Sequence, residues 1–72
     1  MTNNELSFAI FCIESMADRT KRPANEIYDI LTKDTDVLYQ YIVPCYDALH
    51  TQSKDYILDD IYKALTERGI VA

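Results

Sequence analysis

The sequence predicts an all-α fold, a small single-domain four-helix bundle whose third helix is broken at Pro44. Three observations predict it. Apolar residues recur at i, i+3, i+4 spacing along most of the chain, and no stretch alternates apolar with polar as a strand would. Helix starts and stops bracket the periodic segments: Thr2 with Glu5, Pro23, Ser53 and Gly69. The 72 residues include one Gly and two Pro and show no repeat, so one helical domain spans residues 1–72.

The first helix is expected over residues 5–19. Thr2 and Glu5 form a capping-box pattern, and Leu6, Ala9, Ile10, Ile13, Met16 and Ala17 are spaced as one buried stripe. Phe8, Phe11 and Cys12 add a second apolar side, which suits a helix central to its domain. Arg19-Thr20-Lys21-Arg22 reads as a polar link, and Pro23 fits the first turn of helix two, where no N–H is needed. Helix two, over residues 23–33, has Ile27, Ile30 and Leu31 as its core side and Asp29–Lys33 as an i, i+4 pair. Thr35 or Asp36 caps helix three, whose apolar face is Val37, Leu38, Tyr41 and Ile42. Pro44 ends that helix near Ile42–Val43, because its ring excludes the preceding carbonyl bond, and a short helical piece follows to Leu49 or His50. The last helix, over residues 53–68, is capped by Ser53 and buries Ile57, Leu58, Ile61 and Leu65. Asp59–Lys63 and Lys63–Glu67 are expected pairs on its wet side. Gly69 stops it, and Ile70 and Val71 fold back on its last turn.

Composition excludes several functions. The net charge of −5 lacks the electrostatic footprint of a nucleic-acid binder and the polybasic feature that holds a protein to an anionic membrane. Arg19, Lys21 and Arg22 are the one local exception, and a solvated helix-end cluster accounts for them. Cys12 and Cys45 lie in apolar helical patterns and behave as small hydrophobes, which fits a reducing cytoplasm. The Thr2-Asn3-Asn4-Glu5 start carries no cationic segment of a secretory signal, and the apolar run from Phe8 to Ile13 is far short of a membrane span. With 49% apolar residues in so short a chain, some apolar side chains reach the surface, where another protein or a second copy gives them a place to go.

The candidate site residues gather after Pro44. His50, the only histidine, could serve as an acid or base near neutral pH, with Asp47 or Asp59 as its partner. The more economical role is structural: a helix-ending imidazole that bonds the corner backbone, with Thr51 and Gln52 satisfying the two helix ends around it. Cys45 at i, i+5 is on a different face, so no Cys-His pair is read. Asp55 and Asp59 at i, i+4 offer oxygens of the kind that hold Mg²⁺ or Ca²⁺. No Gly-bearing calcium loop accompanies them, so Asp55, Asp59 and Asp60 are expected as solvated or partner-facing acidic surface, relieved by Lys54 or an arginine of another protein. One His and two apolar-context Cys do not make a zinc site. Tyr39 departs from the helix-three core face and is the best exposed contact among the six tyrosines. No phosphate loop is possible with a single Gly at position 69. Helices two and three can be drawn as a helix-turn-helix, but Val37 to Ile42 offers no cation to DNA. No catalytic residue, metal or cofactor is assigned.

The run Tyr46-Asp47-Ala48-Leu49-His50-Thr51-Gln52, followed by Tyr56-Ile57-Leu58-Asp59-Asp60-Ile61, resembles the bacterial domain-of-unknown-function family 3791. The family's mark is a Leu-His-Thr-Gln turn before a Tyr-Ile-x-x-Asp-Ile run. Phe11-Cys12-Ile13-Glu14 and Glu26-Ile27-Tyr28-Asp29-Ile30-Leu31 are similar to it too, while Ser53 stands where members usually have Gly. The resemblance supplies no activity. It implies a small cytosolic accessory protein, an antitoxin-like partner of an operon-encoded protein of ADP-ribosyltransferase-like type. Together these readings lead to a non-catalytic protein-interaction module, with a DNA-binding regulator and a small enzyme using His50 as the alternatives.

Overall fold

A computed structural model describes residues 1–70. Helix α1 covers Asn3–Thr20. Its start is the expected capping box: the Glu5 N–H donates to Thr2 Oγ1 at 3.1 Å, and the Thr2 N–H donates to Glu5 Oε1 at 2.8 Å. α1 runs through Arg19 and Thr20, so the expected polar link shrinks to Lys21 and Arg22. Lys21 closes the helix in the left-handed conformation (φ 59°, ψ 36°), and the Arg22 N–H reaches back to the Ala17 carbonyl at 3.1 Å. Pro23 is the cap of the next helix rather than a member of its first turn.

Helix α2 covers Ala24–Asp29 and continues as a π turn over Ile30–Asp34. A second π turn covers Leu38–Ile42 where one turn or more of α-helix was expected. Both widenings have local causes. At the first, the Thr35 N–H and hydroxyl both donate to the Ile30 carbonyl, at 3.1 and 2.7 Å, and close the turn one residue late. At the second, Pro44 has no N–H and its ring crowds the Gln40 carbonyl. Widening the turn before it, with the Val43 N–H on the Leu38 carbonyl at 3.0 Å, relieves that crowding. The Thr35 hydroxyl also accepts from the Val37 N–H at 3.4 Å, the capping role expected of it.

After the Pro44 break, helix α3 covers Tyr46–Leu49 and helix α4 covers Lys54–Glu67. Ser53 caps α4 by accepting from the Tyr56 N–H at 3.2 Å. Gly69, at φ 84°, lets the Ile70 N–H reach the Leu65 carbonyl at 3.0 Å, and Ile70 packs on the core. Val71, expected to fold back with it, lies outside the described residues.

α1 is about 27 Å long at 1.5 Å per residue, the full length of a domain measuring 25 × 21 × 20 Å. α2 and α4 both pack on it. The shared core is Cys12 and Met16 of α1, Ile27 and Leu31, Val37 and Ile42, and Leu58, Ile61 and Leu65 of α4, all fully buried. Burial of each large aliphatic member stabilises the fold by about 1.5–3 kcal/mol. No strand occurs among the described residues, and the all-α fold stands.

One correction matters for function. The buried side of α1 is Phe8, Ala9, Cys12, Ser15 and Met16, while Leu6 and Ile10 of the expected stripe are 49% and 46% exposed. Both sides of α1 are apolar. The packing of Phe8 on Tyr46, with ring centroids 5.5 Å apart, turns the Cys12 side inward.

Candidate interaction surface

The corner between α3 and α4 is built from two residues one helical turn apart. His50 Nδ1 lies 2.7 Å from the Tyr46 carbonyl oxygen. A carbonyl only accepts, so Nδ1 carries the proton and donates. In the neutral ring that leaves Nε2 as the acceptor. The imidazole also stacks on the Tyr46 ring, with centroids 4.4 Å apart and planes 11° apart. Tyr46 meets Phe8 edge-on, and Phe8 stacks on Phe11 at 6.3 Å. A chain of four rings thus ties the corner to α1. The orienting group for His50 is the Tyr46 carbonyl, not Asp47. Thr51 and Gln52 are exposed, and the Gln52 N–H closes the turn on the Leu49 carbonyl at 2.9 Å.

α4 divides the acidic cluster between two flanks. Asp55, Asp59, Tyr62 and Thr66 follow one i, i+4, i+7, i+11 line; Tyr56, Asp60, Lys63 and Glu67 follow another about 100° away. On the first flank Asp59 accepts from Arg19 of the same chain at 2.9 Å, and the Arg19 guanidinium lies 5.3 Å over the Tyr62 ring. The cation expected from Lys54 or from another protein is therefore internal. Burial pushes the Tyr62 hydroxyl above its ordinary range. On the second flank Asp60 accepts from the Tyr41 hydroxyl. Burial, and then that hydrogen bond, push the Tyr41 hydroxyl well up. The expected Asp59–Lys63 and Lys63–Glu67 pairs are absent from the three ion pairs of the described residues; Asp59 turns to Arg19 instead of Lys63. The expected Asp29–Lys33 pair forms at 3.5 Å. A shallow cleft of about 250 Å³ lies between Tyr41 and Asp60, Lys63, Ala64, Glu67 and Arg68.

The sequence-derived residues therefore do not converge on one point. His50, Thr51, Gln52 and Asp55 line the corner and the start of α4, Asp59 and Asp60 are engaged on opposite flanks, and Tyr39 stands 51% exposed on the second π turn. The basic cluster is largely engaged too: Arg19 holds Asp59 and Arg22 holds Glu26 at 3.6 Å. The segment that would read DNA is one π turn with Val37, Leu38 and Ile42 buried.

The surface missed from sequence is the open flank of α1. Leu6, Ile10, Ile13 and Ala17 fall within an arc of about 60°. Leu6 and Ile10 are exposed, and Ile13 and Ala17 are half-buried at the edge of the core. The signal was present in the two apolar sides of the helix, but Leu6, Ile10, Ile13 and Ala17 were expected in the buried stripe, and both sides are equally apolar.

Chemically, burial pushes the Cys12 thiol up to about 12, so it stays protonated and inert. Among the described residues no three His, Cys, Asp or Glu side chains gather where they could hold a metal ion, and no helix is long and apolar enough to cross a membrane. A family model described as "Protein of unknown function (DUF3791)" matches residues 7–68 of the 72. No curated protein and no solved structure gives a significant match.

Proposed function

This chain belongs to the DUF3791 family, and on that premise we propose that it is a small, non-catalytic protein-interaction module, the accessory or antitoxin-like partner of a second protein in the cytoplasm. The observation that carries the reading is the open apolar flank of α1. A domain with so little interior leaves Leu6 and Ile10 outside while burying Ser15 on the same helix. Contiguous exposed apolar surface on a small domain marks a site where another protein sits. The corner supports the same reading, since His50 is committed to Tyr46 by both a hydrogen bond and a stack. Affinity purification of the tagged chain from its source cells tests it, with wild type beside Ile10→Glu. Wild type is expected to retain a stoichiometric protein that Ile10→Glu loses while keeping its helical circular dichroism. Wild-type chain recovered alone at every stoichiometry contradicts the proposal.

A further inference from the structure

We draw no further inference here: the strongest candidate, the open apolar flank of α1 along Leu6, Ile10, Ile13 and Ala17, belongs to the surface already described, and nothing in the structure shows what covers it.

Discussion

Replacing His50 with Ala removes two contacts at the corner and touches nothing in the core. The bond from Nδ1 to the Tyr46 carbonyl at 2.7 Å is a single hydrogen bond, with a net contribution of about 0.5–1.5 kcal/mol. The stack on Tyr46 at 4.4 Å is exposed on one side, which places it near the low end of the aromatic-pair range, about 0.5 kcal/mol. Together they stabilise the fold by about 1–2 kcal/mol. In a domain of this size each kcal/mol moves the midpoint by about 4–8 °C, so Tm falls by roughly 4–16 °C. His50→Phe keeps the stack and loses only the bond, so its Tm lies between the two. Thermal unfolding followed by circular dichroism measures all three, and protein capture from source cells is read alongside. An unchanged Tm refutes the corner argument. Loss of cellular function at unchanged Tm would restore the enzymatic alternative for His50.

Other outcomes follow from single contacts. Lys21 holds a left-handed conformation that costs a side-chain-bearing residue about 1–2 kcal/mol. Glycine returns about 0.5–1 kcal/mol of that as unfolded-state freedom, so Lys21→Gly should raise the urea midpoint, and a lower midpoint contradicts the assignment. A double-mutant cycle with Arg19→Gln and Asp59→Asn should give a coupling of only about 0.2–1 kcal/mol, smaller in high salt, since both side chains are largely exposed; a coupling unaffected by salt would contradict this. Thiol reagents at mildly alkaline pH should modify half-buried Cys45 first and reach Cys12 only on unfolding; simultaneous modification of both would show that Cys12 is accessible. The backbone N–H of Thr2 holds the Glu5 carboxyl below its ordinary range. Its contribution is therefore present above the unfolded-state value and lost as pH falls through the folded one. Glu5→Ala should be less stable than wild type at neutral pH, with the gap closing in acid; a gap that widens in acid has the wrong sign.

Much of the fold was legible because its signals are local. Thr2 with Glu5, Ser53, Pro44 and Gly69 each act within one turn, and each does in the structure what its chemistry dictates. The π turns were not legible, since an i→i+5 bond differs from i→i+4 only through end effects such as the doubled donation from Thr35. Arg19 and Asp59 are 40 positions apart, beyond any i, i+4 rule, and their pairing drew Asp59 away from Lys63. The inward side of α1 was undecidable from periodicity because Leu6–Ile10 and Phe8–Cys12 are equally apolar. Packing against Tyr46 made the choice and left the other side open. The sequence-derived surface gathered around His50 and the aspartates for the same reason: polar density is visible along a chain, whereas an uncovered apolar flank appears only once the core has been filled.

Side-chain footprinting with hydroxyl radicals on the chain alone and in its captured complex tests the docking face most directly. Leu6, Ile10 and Phe11 are reactive in the free domain by their exposure, as are Tyr28, Tyr39 and Tyr56 elsewhere. Protection of Leu6 and Ile10 in the complex, with Tyr28 and Tyr56 still reactive, is the predicted result. Protection confined to Tyr39, Tyr56 and the His50 corner, with Leu6 and Ile10 as reactive as before, would contradict it.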